Sequence, residues 1–293
     1  MTERLETTRT TDGAIDAPPV SRRATPPDDE TAAVGLVRAN AYRFLQAAIQ
    51  APSDERFRVL IEGPFRQVLL EAASWMQADP GFRPERLGPG ELAPSLIEPA
   101  SLLPNPGDDS VGRDYHDLFG HSISKDCPPY GGEYYPSQDI TFRSQRLADV
   151  AGFYRAFGLD RAADAKERHD HLAFEAAFME TIILRELYAA REGLGAERIE
   201  VCRRAQRAFF VDHLGWWLPA FGLRLSSLRP ESFYCALGRW IRALVAVERA
   251  VLRIPCFDEL PVARVDGYDP EDDGCGTCVD GDGGCEGVPG GDR

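Results

Sequence analysis

Two imidazoles and a carboxylate stand side by side at His169, Asp170 and His171. These side chains can bind zinc or iron, but the two histidines flank a predicted helix start and would point in different directions. A simpler interpretation is that Asp170 accepts backbone N–H groups at the start of that helix. His171 and Glu175 lie four residues apart, so they share a helix face and can pair. Without a nucleophile or ligand geometry, a hydrolase using these residues is disfavoured.

A second group of potential ligands is formed by cysteines in the C-terminal part of the chain. They follow the pattern Cys275-x2-Cys278-x6-Cys285, with Cys256 upstream. This spacing is compatible with a zinc ion or an iron–sulfur cluster, although a second Cys-x2-Cys pair and a local histidine are missing. The surrounding Gly and Asp residues are equally typical of a flexible acidic segment with incidental thiols. A metal-binding redox protein therefore remains the alternative hypothesis.

The segment from Arg113 to Pro136 differs from the amphipathic pattern around it. It begins as a helix and continues as a loop that contains a Cys-Pro-Pro turn, several tyrosines and the Gly131-Gly132 pair, which we interpret as a hinge. Loops of this composition more often contain binding or catalytic residues than residues that only pack in the core. The chain has no nucleophile elbow, phosphate-binding loop or dinucleotide fingerprint, so we expect a peptide-binding protein rather than an enzyme.

The elements that must position these residues are helices. Apolar residues recur at helical spacing in eight stretches, and no alternating run is long enough for a strand. The most apolar stretch starts at His171 and should lie in the centre of the core. The sequence therefore predicts an all-α domain of about eight to ten helices. The predicted helices span 34–50, 53–77 (kinked or split at Gly63-Pro64), 108–119, 137–157, 171–191, 196–214, 216–225 and 231–254.

Composition divides the 293 residues into three parts. Residues 1–33 are predicted to be a disordered arm, residues 34–260 the helical domain, and residues 261–293 a flexible acidic tail. The formal net charge is −14, and residues 258–293 hold eleven acidic side chains against two arginines. Such a chain is unsuited to nucleic acid, which needs a basic surface, whereas a basic partner would be attracted.

The cellular location is predicted from cysteine use and from two further patterns. Seven cysteines, an odd number, suit a reducing compartment better than a disulfide framework. No stretch approaches the ~20 apolar residues of a membrane helix. Arg22-Arg23 superficially resembles a twin-arginine export signal, but Pro26–Glu30 stands where its apolar region would have to be. We therefore expect a cytoplasmic protein.

Three motifs, in this order, resemble those of the TorD/DmsD/NarJ family of redox-enzyme maturation chaperones. Tyr115-x-x-Leu118-Phe119 is similar to the family's Tyr-x-x-Leu-Phe, and the segment 127–134 is similar to its Pro-Pro-aromatic-x-Ser-x-Tyr. The segment 170–179 is similar to its Asp-His-Leu-Ala-x-Glu-Leu-x-Phe-Met. Two positions depart from the pattern: His169 replaces a usual proline, and Gly132 replaces a small hydroxyl residue.

The resemblance covers about residues 34–255 and implies a TorD-like helical fold without catalytic activity or a required cofactor. It implies a chaperone that binds the twin-arginine signal peptide or the apo catalytic subunit of a molybdopterin oxidoreductase until the cofactor is inserted. A monomer or a domain-swapped dimer would fit. The implied groove residues are Tyr115, Leu118, Phe119, Pro129, Tyr130, Tyr134, Asp170, His171 and Glu175.

Overall fold

The computed structural model describes residues 29–105, 108–120, 126–135, 139–160 and 167–261. Within these ranges the chain forms nine α-helices and no β-strand, which confirms the all-α prediction. The helices are α1 (Asp29–Ala48), α2 (Glu55–Arg58), α3 (Phe65–Ala78), α4 (Ser110–Phe119), α5 (Ile140–Ala156), α6 (Leu172–Arg191), α7 (Ala196–Phe209), α8 (Leu218–Leu228) and α9 (Phe233–Leu252). Helix α1 thus begins before the predicted Val34.

The predicted second helix is split at Gly63-Pro64, as the sequence indicates. Gly63 has a φ of 93°, a left-handed conformation that glycine adopts without strain. Pro64 then stands immediately before α3 and cannot continue a preceding helix, because it lacks a backbone N–H. The proline-rich connection from α3 to α4 contains three short 3₁₀ turns, Pro80–Phe82, Pro94–Leu96 and Pro99–Leu102.

Helix α6 lies in the centre of the molecule, packed against α1 on one side and α7 on another. Its residues Ala176, Met179 and Ile182 are completely shielded from solvent. Helices α8 and α9 approach each other unusually closely through a glycine contact. A Cβ on Gly238 would lie 2.5 Å from the carbonyl oxygen of Gly222, so only glycine permits this crossing.

Helices α1 and α9 are joined inside the core by a buried ion pair. The Arg38 guanidinium donates two hydrogen bonds to the Glu248 carboxylate, at 2.7 and 2.8 Å. The Tyr42 hydroxyl donates a third, at 3.0 Å. Because Glu248 is fully buried, these donors supply the hydrogen bonds that its charge needs away from water.

None of the helices in the described ranges is long and apolar enough to cross a membrane.

Candidate functional site

The site is organised by the first turn of α6. His171 is the N-cap residue of this helix, and its Nδ1 accepts a hydrogen bond from the backbone N–H of Ala173 at 3.2 Å. The expectation that Asp170 caps the helix is therefore wrong. The Asp170 carboxylate instead points to the loop that precedes α5, where Oδ2 accepts the backbone N–H of Gly132 at 2.8 Å.

The loop of residues 127–135 is attached to the start of α6 by backbone hydrogen bonds. The N–H of Leu172 donates to Pro129 O at 2.9 Å, and the N–H of Gly131 donates to Asp170 O at 3.1 Å. Tyr130 and His171 face each other in an isolated antiparallel bridge, with ring centroids 4.9 Å apart. Two segments that are distant in sequence thus form one rigid unit, in which Tyr130, Asp170 and His171 are buried.

Both glycines of the loop permit close approach rather than a hinge. A Cβ on Gly132 would lie 2.7 Å from Asp170 Oδ2, and one on Gly131 would lie 3.0 Å from the Trp217 indole nitrogen. Neither glycine has a positive φ, so the requirement is space and not backbone conformation. The departure at Gly132 from the family pattern allows the Asp170 carboxylate to reach the loop backbone.

Arg168 covers Tyr130 and Asp170 from the solvent side. Its guanidinium binds the Asp170 carboxylate with two hydrogen bonds, at 3.0 and 3.1 Å, and it lies 2.9 Å from Glu133 Oε1. The guanidinium carbon is also 4.5 Å from the ring centroid of Tyr130, a favourable cation–π contact. Glu133 receives a second cation, Arg143, at 2.8 Å. The Tyr130 hydroxyl donates to Glu167.

A cavity of about 40 Å³ lies beneath these ion pairs. Glu175 and His213 line it, and both are almost completely buried. Glu175 Oε2 and His213 Nδ1 have no hydrogen-bond partner among the described residues. Burial, followed by the nearby Asp170 charge, raises the pKa of Glu175 well above its usual value. Burial lowers the pKa of His213 to about 4 and also lowers that of His171.

The structure brings together only part of the predicted groove. Tyr130, Asp170 and His171 form the buried unit just described, and Pro129 contributes its backbone. Glu175 lines the adjacent cavity. Tyr115 and Phe119 instead pack against Tyr234, with ring centroids 6.4 and 5.8 Å apart, respectively. Tyr134 packs against Trp217 and is fully buried. Leu118 is buried in the hydrophobic core.

Of the four predicted metal ligands, Cys256 lies in the described part of the chain. Cys275, Cys278 and Cys285 lie outside the described residues. The Cys256 thiol is 3.6 Å from Arg86 O. Within the described ranges, no group of three or more His, Cys, Asp or Glu side chains could hold a metal ion. This also applies to His169–His171, whose imidazoles face Tyr154 and Tyr130 respectively.

Sequence reasoning missed four residues of the site. Arg168 and Glu133 lie next to predicted residues, and their charges were a usable signal. His213 lies in a π-helical turn, Phe210–Leu214, between α7 and α8. Such turns often occur at functional sites, but this one has no distinctive composition. Trp217 donates its indole N–H to His213 O at 2.9 Å, which fixes that turn beside the cavity.

The sequence matches a family model described as nitrate reductase delta subunit, over residues 89–222. It is 36% identical over 106 residues to the selenate reductase assembly chaperone protein of Thauera selenatis, an alignment that covers 36% of this chain and 52% of that protein. It is 33% identical over 159 residues to the chlorate reductase assembly chaperone protein of Ideonella dechloratans, covering 54% and 78%. It is 26% identical over 168 residues to the chaperone protein TorD of Vibrio cholerae, covering 56% and 71%.

The chain spans about half the length of the selenate reductase relative and more than three quarters of the chlorate reductase relative. The matched region includes the loop of residues 127–135 and the start of α6, which form the site described above. These relatives also confirm the prediction of a chaperone rather than an enzyme. The chain belongs to the TorD/DmsD/NarJ family of redox-enzyme maturation chaperones.

Proposed function

We propose that this chain binds the twin-arginine signal peptide or the apo catalytic subunit of a molybdopterin oxidoreductase. It holds this client in the cytoplasm until the cofactor is inserted, before export or assembly. The relatives named for selenate and chlorate reductases support a reductase as the client. The observation that carries the proposal is the preformed unit of Tyr130, Asp170 and His171, in which a loop is hydrogen-bonded to the first turn of the central helix. These three residues are buried, and the part-exposed Arg168 covers Tyr130 and Asp170 from the solvent side.

The chemistry of this unit suits a basic peptide that is followed by an apolar segment. Carboxylates beside an aromatic ring attract cationic side chains, and the net charge of −14 favours encounter with a basic segment. Burial of the apolar part of the peptide would contribute roughly 25 cal/mol for each Å² removed from water. Peptide recognition of this kind needs no catalytic group.

Calorimetry with the signal peptide encoded beside this gene tests the proposal. We expect measurable binding by the wild type and at least about tenfold weaker binding by the Asp170→Ala/His171→Ala double variant, a loss of about 1.4 kcal/mol. A Glu192→Ala/Glu200→Ala variant, which removes two exposed carboxylates elsewhere, serves as the control. Equal affinity of the first variant and the wild type would reject the site, and no binding by any of them would reject the function.

The cysteine spacing supports a second proposal, in which Cys275, Cys278 and Cys285, with Cys256, hold zinc or an iron–sulfur cluster. Metal analysis of anaerobically purified full-length protein tests it. Stoichiometric zinc or iron that is lost in Cys275→Ser/Cys278→Ser would support a chaperone that carries a metal. Protein without metal would reject this role for the cysteines.

A further inference from the structure

The carboxylates of the candidate site already hold a guanidinium, and it belongs to the chain itself. We call Tyr130, Glu133 and Asp170 the guanidinium cradle. Arg168 makes a two-pronged contact with Asp170 and an ion pair with Glu133, and its planar group lies over the Tyr130 ring. About a third of the Arg168 side chain is exposed, whereas Asp170 beneath it is 6% exposed. The cation therefore covers the cradle from the solvent side.

The cradle does not depend on Arg168 for its shape. Asp170 Oδ2 keeps the Gly132 N–H at 2.8 Å, and Glu133 Oε2 keeps Arg143 at 2.8 Å. The Tyr130 backbone is fixed by its pairing with His171. Without the Arg168 guanidinium, Tyr130, Glu133 and Asp170 would each keep one partner and stay in place. Together they would still suit a guanidinium.

A second observation at the same place indicates a site rather than a structural ion pair. The 40 Å³ cavity is bordered by Arg168 and Asp170, and Glu175 lies at its inner side. Glu175 is 1% exposed, and its Oε2 has no partner among the described residues. A buried polar atom of this kind normally has a hydrogen-bond partner. Glu175 therefore presents an unpartnered polar atom to the cavity that Arg168 and Asp170 border.

We propose that Arg168 is an internal ligand, and that an arginine side chain of the partner replaces it in the guanidinium cradle. This rests on the proposed function as a peptide-binding chaperone and names the chemical group that the surface recognises. The exchange transfers one guanidinium for another, so the charge of the site is unchanged when the partner is bound. Arg168 thereby lowers the affinity of every cation for the cradle by the same factor, so a partner needs further contacts elsewhere to bind tightly.

Arginine fits this exchange better than lysine. Its planar fork can bind Asp170 with two parallel hydrogen bonds and stack on Tyr130 at the same time, whereas an ammonium is a strongly hydrated point charge. When a tethered group competes for the cradle, the apparent affinity of the partner equals its intrinsic affinity multiplied by the fraction of time in which the cradle is empty. If Arg168 occupies the cradle about nine tenths of the time, removing it should strengthen binding about tenfold.

The test is a titration of the full-length protein with the dipeptide N-acetyl-Arg-Arg-amide, followed by NMR or calorimetry. We expect Arg168→Ala and Arg168→Gln to bind it about tenfold more tightly than the wild type does. The glutamine variant retains most of the side-chain length and guards against a folding defect in the alanine variant. The gain should disappear when Asp170→Asn is added, and it should be absent in Arg203→Ala, which removes an arginine from a distant ion pair with Glu186.

Two results would overturn the proposal. One is unchanged or weaker binding by both folded Arg168 variants, and the other is an equal gain for the corresponding Lys-Lys or citrulline dipeptide. The proposed function fails separately. If the wild type does not bind the client signal peptide but the Arg168 variants gain affinity for the arginine dipeptide, the guanidinium cradle is supported and the client assignment is rejected. Client binding without such a gain would reject the exchange alone.

Discussion

The backbone N–H of Gly132 donates to the Asp170 carboxylate at 2.8 Å, and a methyl group on Gly132 would lie 2.7 Å from that same oxygen. The hydrogen bond and the absent side chain are thus one requirement. Asp170 can contact the loop backbone and Arg168 together only if position 132 has no side chain. The loop and the first turn of α6 would otherwise have to separate.

Replacing Gly132 by alanine should therefore damage the site. A contact below 3.0 Å forces Asp170 or the loop to move, and overpacking of this kind typically costs about 1–3 kcal/mol. We expect a corresponding loss of stability in urea unfolding and weaker binding of the client signal peptide in calorimetry.

Gly112→Ala provides the matched control, because Gly112 lies exposed in α4 and a Cβ added there would meet no other group within 4 Å. Alanine at this position should stabilise the helix by about 0.5–1 kcal/mol and leave peptide binding unchanged. Equal effects of the two substitutions would show that the space beside Asp170 is not the reason for glycine at position 132.

The helical framework was predictable because its signals are local. Apolar spacing placed the central helix at 171–191, and the structure has it at Leu172–Arg191. The break at Gly63-Pro64 follows from the backbone preferences of these two residues. The π-helical turn that presents His213 was not predictable, since it depends on how Trp217 packs under the loop rather than on a residue pattern.

The site was predictable only in part, for a different physical reason. Sequence similarity associated Tyr130 with Asp170, and the structure places their segments in contact. An aromatic residue, however, can cover a groove or fill a core, and sequence alone does not separate these roles for Tyr115 and Tyr134. The role of Arg168 arises from three-dimensional contacts with Glu133 and Tyr130, both of which are distant in sequence.

Glu175 should make stability decrease as the pH rises. Its pKa is raised in the folded chain, first by burial and then by Asp170, so folding retains a proton that the unfolded chain releases above about pH 4.3. Its contribution to the free energy of unfolding is complete below that pH. As the pH rises toward the pKa of the folded state, this contribution decreases by about 1.4 kcal/mol per pH unit. In Glu175→Gln this loss is absent, so the stability advantage of the variant should grow with pH in urea unfolding. An advantage independent of pH would contradict a raised pKa of Glu175.

His213 should have the opposite effect under acidic conditions. Its pKa falls from 6.5 to about 4 in the folded chain because of burial, so the unfolded chain binds the proton first. Stability is complete above about pH 6.5 and declines as the pH falls toward 4, by about 1.4 kcal/mol per pH unit. His213→Gln should reduce this slope in unfolding experiments between pH 4 and 7. The exposed His116→Gln is the control, and an identical slope in both variants would refute the assignment.

The ion pair between Arg38 and Glu248 should matter most when only one partner is removed. Both side chains are buried, and the carboxylate also accepts the Tyr42 hydroxyl. Glu248→Ala leaves the Arg38 charge without its counter-ion, and such a change typically costs about 3–5 kcal/mol. We expect the full loss in the free energy of unfolding measured with urea. Tyr42→Phe, which removes one neutral donor, should cost about 1 kcal/mol.

Removal of both charges separates the penalty of an unpaired charge from the value of the pair itself. In Arg38→Met/Tyr42→Phe/Glu248→Leu the core keeps most of its volume, and neither an ion nor the unpaired Tyr42 hydroxyl remains, so stability should recover to near the wild-type value. The exposed pair Arg191–Glu192 offers a comparison, since its disruption should cost less than about 1 kcal/mol. A triple variant as unstable as Glu248→Ala would show that the pair stabilises the α1–α9 contact in its own right, because neither a buried charge nor an unpaired hydroxyl would then remain to explain the loss.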